Sequence, residues 1–166
     1  MKRISEEVFL IEPPVGRIGA EELLALKGAA LANKRKRARI CAHPDSQDRL
    51  HEMIIAHAGR PYVRPHRHPQ KSESFHAIEG KLTVVLLDDS GYVLERVPMG
   101  PVGTGRVLFY RLSDCIYHTV LFEDDIVVFH ETTNGPFVPG DAEFAPWGPL
   151  DDDEAGQQKF LAGIGV

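Results

Sequence analysis

Two histidines one residue apart, followed by a glutamate five positions on, are the most informative group in the sequence: His66, His68 and Glu73. In an extended strand, residues two apart face the same side and sit roughly 6.5 Å apart along the chain. Two such imidazoles can converge on one ion at about 2.1 Å from each nitrogen. Pro65 and Pro69 bracket the pair and restrict its backbone. Glu73 follows a Pro-Gln-Lys-Ser bend and can return with a carboxylate. A mixed nitrogen and oxygen donor set suits one divalent ion among Fe, Mn, Ni, Zn and Co, without selecting one.

A further imidazole must come from elsewhere, and His43, His51, His57, His76, His118 and His130 are available. His76 lies three residues after Glu73, so a regular strand turns it to the opposite face. His118 shares a face with Val120 and Phe122, an apolar pattern expected of a barrel interior, and is the expected fourth ligand. The segment from Ile116 to Glu131 reads as a hairpin around the acidic turn Glu123-Asp124-Asp125. A two-residue loop places Glu131 opposite His118; a three-residue loop places His130 there, because a one-residue slip swaps the faces. Glu131 facing the metal could orient His118 or act as a general base, which makes it the candidate catalytic residue.

Other polar groups surround this set. Arg64 and Arg67 are read as facing away from the histidines and bracing the barrel or a subunit contact. Tyr62 and Tyr117 can supply phenolic hydrogen bonds or simply pack. The basic run from Lys34 to Arg39 could grip a phosphate or nucleotide-sugar through bidentate arginine pairs. For most of that run a solvated linker is the plainer reading.

These residues need a scaffold. Residues from about Gly19 to Lys34 are good helix formers, with acids leading and bases following, and Leu23, Leu24, Ala30 and Leu31 are expected on one face. Val8 to Ile11 reads as a short strand. From Arg37 to Glu131 strands are expected over 39–42, 50–57, 75–78, 81–87, 92–97, 107–112, 116–122 and 126–131, with a loop at Pro98–Gly105. Closely spaced strands with turn signals between them indicate a sandwich or barrel. Leu82 to Leu87 is apolar on both faces and must be covered twice, by a partner subunit, the helix or the C-terminal arm. One domain is expected, in three zones: an N-terminal extension (1–36), a barrel (37–134), and an arm (135–166) ending in a loose Asp151–Glu154 stretch.

At 166 residues, 43% hydrophobic and with net charge −5, the chain gives no general reason to expect nucleic acid as a partner. Glu6 and Glu7 interrupt any leader-like apolar start, and no apolar run approaches the roughly 20 residues of a membrane helix. A cytoplasmic protein with Cys41 and Cys115 reduced is expected.

The stretch His66-x-His68, four residues, Glu73, six residues, Gly80 resembles the first cupin motif, with Gly59 one residue further upstream than usual. Asp114-Cys115-Ile116-Tyr117 stands where the second motif carries Pro-x-Gly before its histidine. Arg64-Pro65-His66-Arg67-His68, Tyr117-His118-Thr119, Gly135-Pro136-Phe137 and Phe144-Ala145-Pro146-Trp147 together resemble the WbuC family of cupin-fold metalloproteins, from the helix near residue 20 to about Leu150. The resemblance implies an all-β cupin-type jelly-roll barrel with a short N-terminal helical extension, one divalent metal, a homodimer, and a link to bacterial surface-polysaccharide gene clusters. It favours Glu131 over His130 at the metal. It also implies basic substrate contacts at Arg37, Arg39 and His43, with Asp45, Gln47 and Arg49 on the same rim. Tyr62 and His130 complete the candidate ligand contacts. Three functions fit: isomerase, epimerase or lyase chemistry on a sugar or other small polar metabolite, a non-haem Fe(II) oxygenase, or a small-molecule binding module without turnover.

Overall fold

The computed structural model describes residues 1–165. Val166, the last residue of the expected arm, lies outside the described residues. Along the chain come β1 (Lys2–Arg3), β2 (Val8–Leu10), helix α1 (Ala20–Ala32), β3 (Arg37–Cys41), β4 (Leu50–Ala58), β5 (His66–Arg67) and β6 (Glu73–Glu79). Then follow β7 (Leu82–Leu87), β8 (Val93–Met99), β9 (Phe109–Leu112), β10 (Tyr117–Phe122), β11 (Ile126–Asn134), β12 (Glu143–Phe144) and helix α2 (Glu154–Gly163). The strands form two facing sheets, in the orders β1-β2-β3-β4-β11-β6-β9 and β12-β5-β10-β7-β8. Pairing is antiparallel except between β2 and β3. This is an all-β double-sheet jelly roll with helices on the outside.

Alternation explains the core. Phe75 and Ala77 of β6, Val127 and Phe129 of β11, Leu82 and Val84 of β7, and Val120 and Phe122 of β10 all turn into the space between the sheets. The alternate residues of β7 and β10, Val85, Leu87, Tyr117 and Leu121, pack outward beneath Ala145 and Ile164, with Trp147, Phe160 and Leu161 beside them. The second cover that β7 requires is therefore the C-terminal arm and α2, and that face gives no argument for a partner subunit. The tail is anchored by Arg96, whose Nε and Nη2 donate to the Ile164 carbonyl at 3.2 and 2.9 Å. The stretch expected to be loose instead starts α2: Asp153 caps it by accepting from the Gly156 amide at 2.9 Å.

Helix α1 lies on β3 and β4, with Leu26 and Ala30 fully buried and Leu23 and Ala29 beside them. Leu24 and Leu31 point to solvent, 71% and 53% exposed, contrary to the expected shared face. A 3.6-residue period groups Leu23, Leu26 and Ala30 and rotates Leu24 and Leu31 away. Glu22 accepts from the Gly19 amide at 2.8 Å and fixes the helix start. The expected bases fall beyond the last turn, where Lys36 still donates to the Leu31 carbonyl at 2.7 Å.

The expected hairpin does not form. β10 pairs with β7 and β5, while β11 pairs with β4 and β6, so the Glu123–Asp125 turn carries the chain from one sheet to the other. His118 lies opposite His66 and Leu86; Glu131 lies opposite Met53 and Phe75. The two strands meet face to face across the core, not edge to edge. Gly80 makes another crossing possible. Its φ is +72°, and an added Cβ would stand 2.3 Å from the Ile126 carbonyl oxygen. Gly80→Ala is expected to lower stability by at least about 2 kcal/mol, from left-handed strain plus overpacking, read as a lower urea midpoint at unchanged m-value.

Cys41 is buried and Cys115 exposed, and both are free. No helix is long and apolar enough to cross a membrane among the described residues.

Candidate metal centre

His66 on β5, His68 just beyond it, Glu73 at the head of β6 and His118 on β10 come together at one end of the space between the sheets. Their convergence is a product of register, since β5 lies on β10 with His66 directly opposite His118. Ring centroids are 4.5 Å apart for His66–His118, 5.1 Å for His66–His68 and 5.7 Å for His68–His118. One nitrogen from each ring lies within 4.8 Å of the others. Glu73 Oε1 is 3.0 Å from His118 Nε2, and Oε2 is 3.5 Å from His68 Nε2.

The backbone fixes which nitrogens face inward. His66 Nδ1 lies 2.9 Å from the Arg64 carbonyl and His118 Nδ1 lies 3.1 Å from the Ile116 carbonyl. A carbonyl only accepts, so both Nδ1 atoms must carry the proton, and both Nε2 lone pairs turn to the shared space. His118 Nε2 and Glu73 Oε1 therefore present two lone pairs to each other at 3.0 Å, and both atoms are buried without a hydrogen-bond partner. Facing acceptors require a cation, either a proton or a metal ion.

Charge preferences agree. Burial disfavours a charged Glu73, yet His118 and His68 beside it outweigh burial and hold the carboxyl below the usual range. Burial also disfavours a charged His118, and Glu73 overcomes it to raise the imidazole. His66 goes the other way, pushed down to about 4 by burial and by His118. One imidazole is drawn toward positive charge while its neighbour resists a proton. A single dication on the Nε2 side meets both demands, so the residues fit a metal ion.

A cavity of about 230 Å³ opens above the histidines, walled by Phe75, Val120, Phe122 and Phe129. Glu131 reaches it from β11, open to the cavity though crowded on its flanks. Its pKa is pushed up to about 8 by burial and by the charge of Glu73, with Arg39 opposing. Arg37 and Arg39 also reach this cavity, and Arg37 donates to Glu7 at 3.2 Å. His43 lines an adjoining pocket of about 470 Å³ that shares Arg39, His68 and Glu131 with the metal cavity. There it stacks on His51 with centroids 4.1 Å apart, and Asp45 lines the same pocket.

Three expected ligand contacts lie outside these two spaces. His130 neighbours Glu131 and so faces the other side of its sheet, 3.9 Å from Glu52 and beside His76. Arg49 is exposed in the turn before β4, where its carbonyl accepts from the Gly135 amide. The Tyr62 hydroxyl donates to the Pro149 carbonyl at 3.1 Å and lines a neighbouring groove, not the metal cavity. Arg67 does face away, bound to Glu143 at 2.9 Å and Asp89 at 3.1 Å. Arg64 does not, because β5 begins only at His66 and strand alternation does not reach it; its guanidinium lies over Phe144, 4.7 Å from the ring centroid.

In the sequence His57 is only one of several available imidazoles, with no role assigned. It lines the cavity, stacked 4.3 Å from Phe122, and burial with Arg37 nearby pushes it down to about 3. Its signal was alternation, since Met53, Ile55 and His57 share the inner face of β4.

Residues 18–99 match a family described as a domain of unknown function, DUF6016. No curated protein sequence matches the chain. Among solved structures, an oxalate oxidase in complex with the substrate analogue glycolate is similar at 14% identity and TM-score 0.52, over 80% of this chain and 76% of that one. CapF, a capsular polysaccharide assembling protein from Staphylococcus aureus, is similar at 18% identity and TM-score 0.52, over 68% of this chain but only 31% of CapF. A protein from Shewanella oneidensis is similar at 12% identity and TM-score 0.50, over 62% of this chain and 66% of that chain. At such identities the likeness is one of fold, and the fold is the cupin-type jelly roll.

Proposed function

We propose that this chain binds one divalent metal ion through His66, His68, His118 and Glu73 and acts on a small polar metabolite held in the cavity above it, a sugar being the preferred class. The observation that carries the metal is the pair of facing lone pairs on His118 Nε2 and Glu73 Oε1. The sugar preference rests on the resemblance to the WbuC family and on the shared fold with a capsular polysaccharide assembling protein. A bound dication supplies Lewis acidity toward a carbonyl or hydroxyl oxygen. Glu131 is the group on this chain that can hold or move a proton beside that oxygen, which fits isomerisation, epimerisation or elimination. A dication close by would lower its pKa from about 8, readying it as a base.

Glu131→Gln tests the role. Metal content and ligand affinity are expected to stay within about threefold, while turnover falls by about 10²–10⁴. Unchanged turnover would remove Glu131 from the chemistry, and no turnover by the parent protein on any sugar would leave a binding module. A second reading, an Fe(II) oxygenase, draws on the three-imidazole, one-carboxylate donor set and on the fold shared with an oxalate oxidase. Metal analysis of anaerobically purified protein, then oxygen uptake with candidate substrates, separates the two.

A further inference from the structure

The metal cavity opens sideways into a groove of about 750 Å³, and His57, His66, His68 and Arg37 line both spaces. At about 230 Å³ the cavity alone is smaller than the roughly 300–1,000 Å³ usual for a small-molecule site; together with the groove it reaches that range. The protein carries net charge −5, yet the groove inverts that sign. Lys34, Arg35, Arg37 and Arg64 line it against a single acid, Asp151. Glu7 offers one carboxylate oxygen to both Arg37, at 3.2 Å, and Arg35, at 3.6 Å, so one negative charge serves two positive ones. Lys34 makes no ion pair among the described residues. Arg64 Nε is buried without a hydrogen-bond partner, in a guanidinium held over Phe144.

We propose that this groove is a phosphate subsite, and that the metabolite whose other end reaches the metal is a phosphate ester. The second half of that statement rests on the metal reading above. The excess of cations calls for a group with more than one negative charge, and a guanidinium fixed in place is suited to phosphate oxygens. The pocket on the other side of the metal cavity is a poorer choice. Its Lys71 is already paired with Asp141 at 2.6 Å, and Asp45 offsets Arg39.

Calorimetric titration of the full chain with glucose 1-phosphate, UDP-glucose and glucose tests this, in metal-loaded and EDTA-treated protein. A phosphorylated probe is expected to bind at least tenfold more tightly than glucose in both preparations. Stronger binding of UDP-glucose identifies a nucleotide diphosphate sugar; stronger binding of glucose 1-phosphate identifies a sugar monophosphate. Arg64→Gln and Lys34→Gln are each expected to weaken that binding five- to tenfold at unchanged metal content, and Arg111→Gln on β9 to leave it alone. Lys34 is exposed, so its replacement does not put folding at risk. Absence of preference for the phosphorylated probes, or affinity indifferent to Arg64 and Lys34, overturns the subsite. Binding abolished by EDTA also overturns it, because the anion would then sit on the metal. Protein that takes up no metal but keeps arginine-dependent binding upholds the subsite and defeats the metal reading instead.

Discussion

His118→Ala is expected to leave less than about a tenth of a metal ion per chain and to weaken metal affinity by more than 100-fold. Changes to groups that merely support a ligand already cost about 10–100-fold, and this one deletes a donor. His118 is fully buried, and its Nε2 directly faces Glu73. Without it, Glu73 is a buried carboxylate whose nearest partner is His68 at 3.5 Å. Stranding one partner of a buried pair costs about 3–5 kcal/mol, so the metal-free variant should also melt lower. The wild type is expected to gain about 2.7 kcal/mol from metal at 100 times its dissociation constant, and the variant none. Metal analysis by mass spectrometry, with melting curves with and without added metal, reads both effects. His118→Gln keeps more of the volume and should lose the metal while folding better. A His118→Ala protein that holds one ion at parental affinity would refute the assignment.

The second large effect is acid sensitivity centred on His57. In the folded chain its pKa is about 3, from burial and then Arg37, against about 6.5 when unfolded. The unfolded chain thus binds more protons between those values, and stability falls as pH drops through that window. The full shift corresponds to on the order of 5 kcal/mol, most of it lost by about pH 3. In the metal-free protein His66, lowered to about 4, acts in the same direction. Glu73 joins below its unfolded value, because a carboxyl held low in the fold loses its stabilisation as it protonates. His57→Phe keeps the stack on Phe122 and removes a ring nitrogen, Nδ1, buried without a partner. Its acid midpoint in EDTA should move down by about one pH unit, with stability at pH 7 unchanged or higher. Coincident acid transitions for parent and variant would dismiss this account.

The sequence spoke most clearly where chemistry and period coincided. His66, His68 and His118 are the right ligand type, with His66 and His68 spaced by two and His118 set in an apolar strand, and the pairing of β5 with β10 then brings them together. Strand pairing was less legible. Ile116–Glu131 has the pattern of a hairpin, but alternation is the same whether two strands pair along an edge or face each other across a core. The placement of β10 and β11 in different sheets depends on which edges β4, β5, β6 and β7 already occupy. Arg64 was misplaced because Pro65 stops the alternation that would be extrapolated to it. Glu7 had no local signal at all, since its partners Arg35 and Arg37 lie across a helix from it. The acids at 151–154 read as solvated charge until one of them is seen capping a helix.

The grip of Arg96 on the Ile164 carbonyl has a practical side. Ile164 is 4% exposed and sits over Val85 and Leu87, so the tail is a lid on an oily surface and not a spare end. Cutting the chain before Ile164 would bare those side chains and invite clumping.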